Sequence, residues 1–181
     1  YQGSVLAIDP KGELASITAR RRAEDLKQKV CVLDPFDRTA SWVAPYKKSY
    51  NPLVFLEPGS PTLIEDAGLI ADSLIISNTG ANADPHWDES ARNFIEAVLL
   101  HIVTSEKYEG KRSLVTAHEL LTRGAIFERG GKHYEGIIGL TYEMLESAEK
   151  LDNEDVTVII EGAAIDMQDR GDNERGSVMS T

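Results

Sequence analysis

The sequence predicts a mainly α-helical protein whose first fifth is a short βαβ unit. Three observations carry that reading. Two apolar runs, residues 4–9 and 30–35, each close in an Asp-Pro turn or step and flank a helix-forming segment. From Pro61 onward, apolar residues recur at three- and four-residue spacing, the period of a helix face. Between these regions lies a stretch rich in proline and aromatic residues, which suits neither a helix nor a central strand.

The run Ser-Val-Leu-Ala-Ile-Asp at 4–9 is continuously apolar over strand length, as in a parallel sheet covered on both faces. A helix is predicted from Leu14 to Leu26, with Leu14, Ile17 and Leu26 facing inward. Arg20, Arg21, Arg22 and Lys27 form the densest basic cluster of the chain. With Glu24 and Asp25 interspersed, this is a solvated helix face or a phosphate contact. The second strand, 30–35, carries Cys31 in mid-run as a small buried hydrophobe. In open α/β sheets the carboxyl ends of such strands are where ligands sit. Residues 36–61 then hold Pro45, Pro52, Pro58 and Pro61 with Trp42, Tyr46, Tyr50 and Phe55. Trp42 is either a stacking platform for a base or an aromatic that closes a loop onto the core. A domain boundary is expected within 36–45, dividing the chain into 1–38 and 39–181.

In the second part, Ser60-Pro61 is read as a helix start, and Leu63, Ala67, Ile70, Ala71 and Leu74 share its inner face. Residues 77–82 break the pattern. Asp84 as N-cap and Pro85 at the first position open the strongest helix, with Trp87, Ala91, Phe94, Ile95, Val98, Leu99 and Ile102 in one wide stripe. His101 falls near that stripe as a satisfied core or boundary residue, and His86 beside Trp87 reads as packing or capping. Ser113 caps a short helix that Gly124 stops. Gly130-Gly131 is a break. Helices are predicted over 136–151 and through 156–168, the β-branched Val156-Thr157-Val158-Ile159-Ile160 included. A last segment begins after Gly171. No further strand pair is expected after the βαβ unit.

The net charge of −11 and pI of about 4.8 argue against a chain-wide grip on nucleic acid, leaving room for a local basic patch. One cysteine forms no internal disulfide, which suits a reducing compartment. No stretch of roughly 18 apolar residues marks a membrane span. Tyr1 reads as an excision point within a longer chain. The turn Asp9-Pro10-Lys11-Gly12-Glu13 sets two carboxylates and an ammonium at a strand end, groups that hold a metal, orient water or pair with phosphate; they are equally ordinary helix-entry chemistry. No G-x-x-x-x-G-K-[ST] or G-x-G-x-x-G loop is present, and no apolar strand closes in a Walker B acid. Hydrolysis of ATP by this chain alone is therefore not expected. His86, His101, His118 and His133 are scattered without metal-ligand spacing, and no G-x-S-x-G elbow occurs.

Five segments in order then resemble one family: residues 3–14, Val30-Cys31-Val32-Leu33-Asp34-Pro35-Phe36, Tyr50-Asn51-Pro52-Leu53, residues 65–74, and Asp84-Pro85-His86-Trp87-Asp88-Glu89-Ser90-Ala91-Arg92. The chain resembles the type IV secretion coupling proteins, the TraG-like conjugative DNA-transfer ATPases. The resemblance implies an all-α domain preceded by a βαβ remnant of a RecA-like nucleotide-binding domain, cut from a longer ATPase between its Walker A and Walker B elements. It implies a parent that is a homohexameric motor at the cytoplasmic face of the bacterial inner membrane, with ATP and Mg bound in the parent and no cofactor in this fragment. Asp9, Lys11 and Glu13 are implied to lie near the nucleotide. The implied partners are relaxase or effector proteins, other secretion components and DNA, the last restricted to a patch such as Arg20, Arg21, Arg22 or Lys47 and Lys48. The helical part is then a substrate-recognition domain or, alternatively, a structural insertion that transmits nucleotide state around the ring.

Overall fold

The computed structural model describes residues 1–75 and 85–180. The break expected at 77–82 and the Asp84 cap lie outside the described residues. The chain divides into two compact units, Tyr1–Tyr50 and Asn51–Thr181.

In the first unit the flanked helix forms as α1, Glu13–Glu24. Neither apolar run beside it is a strand. Among the described residues their one pairing is a parallel bridge between Val32 and Lys47, closed by Val32 N–H to the Tyr46 carbonyl (2.9 Å) and Lys48 N–H to the Val32 carbonyl (3.0 Å). The βαβ expectation is corrected on this point. A buried parallel strand needs hydrogen-bonded neighbours and covered faces. Here Leu6 is 97% exposed and Ile8 89%, and Cys31 is exposed instead of buried. Leu14 and Ile17 are likewise exposed, and Ala19 is the buried residue of α1. The unit runs on to Tyr50 because the 3₁₀ segment Ser41–Tyr46 packs on α1 and buries Val43 completely.

The second unit is a helical bundle around one central helix. After the 3₁₀ turn Pro52–Phe55, α2 spans Leu63–Leu74 and buries Leu63, Ala67 and Ala71 as its spacing predicts, with Ile70 partly buried against the core; Leu74, expected on the same face, is exposed at the helix end. Its N-cap is Thr62, not Ser60; the Ser60 hydroxyl instead accepts from Thr62 N–H at 3.2 Å. The central helix α3, Pro85–Thr104, contacts α2 and every later helix of the unit. Ala97, Val98, Leu99, Leu100, His101, Ile102 and Val103 are all fully buried, so the expected stripe is in fact a buried girdle. Each large apolar side chain there contributes about 1.5–3 kcal/mol. After the 3₁₀ turn Glu106–Tyr108, α4 (Leu114–Arg123) starts at Ser113, whose hydroxyl accepts from Thr116 N–H, and stops at Gly124.

A hairpin that the sequence reading did not anticipate follows. Strands β1 (Phe127–Arg129) and β2 (Lys132–Tyr134) pair antiparallel across Gly130-Gly131. Both glycines have positive φ, 60° and 74°, as a two-residue hairpin turn of matching twist requires. The hairpin lies on α5 (Gly136–Ala148) through Tyr142, whose ring centroid is 4.1 Å from that of Tyr134 and 6.0 Å from that of Phe127. At this junction a Cβ on Gly139 stands 2.1 Å from the Ala125 carbonyl oxygen and 2.8 Å from that of Tyr134. The β-branched run is helical, inside α6 (Glu154–Asp169), with Asn153 capping Val156 N–H. Burial of Val156, Ile160, Ala164 and Met167 at helical spacing overrides local β propensity. Helix α7, Asp172–Met179, closes the bundle by burying Val178.

One polar cluster sits inside this apolar frame. Glu143 of α5 accepts hydrogen bonds from His101 Nε2 (3.2 Å), the Lys107 ammonium and the Tyr108 hydroxyl. His101 Nδ1 meets the Ser147 hydroxyl at 2.7 Å. Burial pushes the Glu143 carboxyl up, but hydrogen bonds from His101, Lys107 and Tyr108 outweigh it and hold it at about 2. Burial and the facing carboxylate push the Tyr108 hydroxyl up.

Two outcomes follow for stability. Because the folded Glu143 carboxyl sits below its ordinary 4.5, its contribution is complete above that pH and disappears as pH falls toward 2. Glu143→Gln is expected to cost about 2–3 kcal/mol in denaturant unfolding at neutral pH, and to flatten the acid limb of stability against pH. Gly139→Ala is expected to lower Tm although alanine favours helices by about 1 kcal/mol, because the blocking atoms are backbone oxygens that cannot swing away.

Candidate functional site

The sequence-nominated residues all lie in the first unit. Asp9 is committed to local structure: its Oδ2 accepts from Ala15 N–H at 2.9 Å and caps the first turn of α1. Gly12, at φ 72°, lets residues 38–39 approach so closely that a Cβ stands 2.8 Å from the Arg38 carbonyl. Ser16 completes the joint, donating to the Gly12 carbonyl (2.6 Å) and accepting from Ala40 N–H (3.0 Å). Lys11 and Glu13 are exposed. Asp34, which the sequence reading did not nominate, is the most heavily bonded carboxylate of the unit. It accepts from the Thr39 hydroxyl (2.6 Å), Lys47 Nζ (2.9 Å), and the N–H groups of Arg38 and Thr39. The Thr39 hydroxyl, then Lys47, then the two amides hold its carboxyl well below the usual carboxylate range. The signal was available: Asp34-Pro35 repeats Asp9-Pro10, and both aspartates cap the backbone that follows.

The five basic candidates separate into two classes. Lys47 bridges Asp34 and Asp37, and Asp37 followed by Asp34 raises its ammonium further. Arg22 donates to Gln28 Oε1 (2.6 Å) and to the Gly3 carbonyl (3.4 Å), tying the amino-terminal segment to α1. These two serve the fold. Arg20, Arg21 and Lys48 are exposed. Arg20 stands 5.0 Å from the centroid of the half-buried Trp42 ring and 3.8 Å from Glu24. That contact makes Trp42 a packing partner of α1, the loop-closing reading of this residue.

Among the described residues no group of three or more His, Cys, Asp and Glu side chains could hold a metal ion. Asp9 is spent on a helix cap, and the sequence carries no glycine-rich phosphate-loop motif. What the unit offers is a cleft of about 380 Å³, lined by the exposed apolar runs and by Asp9, Arg22, Asp34 and Arg38. Charge divides unequally between the units. Residues 1–50 carry nine Lys and Arg against six Asp and Glu, net +3, and residues 51–181 carry ten against 24, net −14. No helix among the described residues is long and apolar enough to cross a membrane.

Comparison with known proteins accounts for the whole length of the chain. A family model described as "Type IV secretory system Conjugative DNA transfer" matches residues 1–181. A conjugal transfer protein TraG of Escherichia coli is 28% identical over 181 residues, all of this chain and 26% of that protein. A second Escherichia coli TraG is 25% identical over 98% of this chain and 25% of its own length. The type IV secretion system-coupling protein VirD4 of Bartonella henselae is 26% identical over 68% of this chain and 19% of its own. No solved structure matches. The chain thus spans about a quarter of the length of its TraG relatives, and it belongs to the type IV secretory system conjugative DNA transfer family of coupling proteins.

Proposed function

We propose that residues 51–181 are the all-α substrate-recognition domain of a conjugative coupling ATPase, and that they help bring relaxase-bound DNA or protein substrates to a secretion channel. The family match over the entire chain carries this reading. The first unit is then the remnant of a RecA-like nucleotide-binding domain, read as 1–38 in sequence and packed as Tyr1–Tyr50. Its exposed apolar runs support this, because Leu6 and Ile8 gain cover only from neighbouring strands supplied by the rest of the parent. In the parent, ATP and Mg bind outside this chain, with Asp9, Lys11 and Glu13 in the nucleotide-proximal region. The parent is a homohexamer at the cytoplasmic face of the inner membrane, and other secretion components are its partners.

The net charge of −14 on the helical unit favours a protein substrate over a polyphosphate chain there. Contact with DNA is confined to the basic first unit, through Arg20, Arg21 and Lys48, since Arg22 and Lys47 are bound internally. Three phosphate contacts give a log–log salt slope of about −3 with duplex DNA. Arg21→Glu with Lys48→Glu is expected to reduce that slope by about 2 in a salt titration of DNA binding.

Recognition and mechanical roles separate in the full-length parent. Exchanging the exposed Glu119, Asp152 and Glu174 for their amides is expected to weaken relaxase capture and plasmid transfer while ATPase activity is unchanged. Loss of ATPase activity with normal capture would instead assign the helical unit the structural role, transmitting nucleotide state without touching substrate.

A further inference from the structure

The outward face of α6 has no partner among the described residues. Val158 is 62% exposed and Ile165 48%, and they lie on the same side of the helix as Gly162 and directly opposite the buried Val156, Ile160, Ala164 and Met167. A Cβ added to Gly162 meets nothing within 4 Å, so this glycine is not demanded by packing inside the bundle. A mid-helix glycine costs about 1 kcal/mol against alanine. Here it leaves a notch between two apolar side chains, roughly 10 Å apart along the axis. The rim of this stripe is acidic: Asp155, Glu161, Asp166 and Asp169 surround it. The nearby cation of the same helix, Arg170, is turned aside to Asp166 (2.8 Å), the Ser90 hydroxyl (3.1 Å) and the face of Trp87. Beside the stripe, between α3 and α6, opens a cleft of about 330 Å³ whose walls include Glu89, Asn93 and the Asp166–Arg170 pair, so its charge is already largely balanced.

We infer that this face of α6 docks a basic amphipathic helix of a partner protein. Its apolar side lies over Val158 and Ile165, its backbone approaches closely at Gly162, and its lysines or arginines pair with the exposed rim carboxylates Asp155 and Asp169 and with Glu161. Charge complementarity selects this occupant. Nucleic acid is repelled by the rim carboxylates Asp155, Glu161 and Asp169, and a second copy of the same face presents the same sign of charge. The inference rests on the recognition reading above and gives it a partner chemistry and a place.

The test uses this chain with a fluorescein-labelled 16-residue peptide, leucine at heptad a and d positions and lysine elsewhere, and a control with every lysine replaced by glutamate. Saturable binding of the lysine peptide, weakened by salt and absent for the glutamate peptide, is expected in fluorescence anisotropy. Gly162→Gln is expected to weaken it about tenfold while raising Tm, so that lost binding is not lost folding. Val158→Ser with Ile165→Ser, and Asp155→Asn with Asp169→Asn, are expected to weaken it comparably. Unchanged affinity in all three variants overturns the inference. So does a concentration-dependent dimer that the Val158→Ser, Ile165→Ser variant abolishes. The peptide reads the face alone: failure of relaxase capture in the parent leaves a positive peptide result standing, and a negative peptide result leaves capture standing.

Discussion

The helical unit depends on the complete burial of α3 between residues 97 and 103. A helix buried on every side cannot select its neighbours by one apolar stripe. It requires helices all around it, and α2, α4, α5, α6 and α7 are all in contact with it. Short connections with strong stops, such as Ser113 and Gly124 at the two ends of α4, let successive helices return to that centre. The acidic residues are consequently driven to the outer surface, where their mutual repulsion is relieved by solvent, and the unit becomes strongly negative outside and apolar within.

The exception to that partition is Glu143. An isolated carboxylate beside fully buried apolar residues is strongly unfavourable. Here three donors converge on it, and one of them, His101, belongs to the buried girdle itself. The arrangement ties α3, the 3₁₀ turn after it and α5 to one another through a single acid. Packing alone tolerates small slides of one helix along another; a set of directional hydrogen bonds does not. Thus the cluster fixes the register of α5 against α3, and the Tyr142 platform on α5 carries the hairpin.

The first unit follows a different rule. Its order comes from caps and ion pairs and much less from a core. Asp9 and Asp34 hold the turns, Lys47 links Asp34 to Asp37, and Arg22 ties down the amino-terminal segment. Val43 and Ala19 are its fully buried apolar side chains, while the runs that read as strands lie open to solvent. A unit made this way is held in shape locally while presenting apolar residues to solvent.

Helix positions were legible in the sequence because helix-forming spacing and caps are local. The α2 face and the Ser113 and Gly124 limits of α4 follow from residues within a few positions of one another, whereas the β-branched run in α6 is helical because its spacing buries Val156, Ile160, Ala164 and Met167 in the bundle. The hairpin at 127–134 was not legible: its strands are three residues long and owe their stability to Tyr142 on another element. The candidate site was legible in part. Sequence located the charged turn and the basic cluster, but not that Arg22 and Lys47 are spent internally or that Asp34 is the most heavily bonded carboxylate. What the sequence by itself determined was which segments are helical, the acidic balance, and the ordered motifs of the family. What only the tertiary structure decided was which charges remain available and which apolar residues stay uncovered. The physical reason is that a strand, a charge or an apolar face acquires its role from its neighbours across space, and those neighbours lie tens of residues away in sequence.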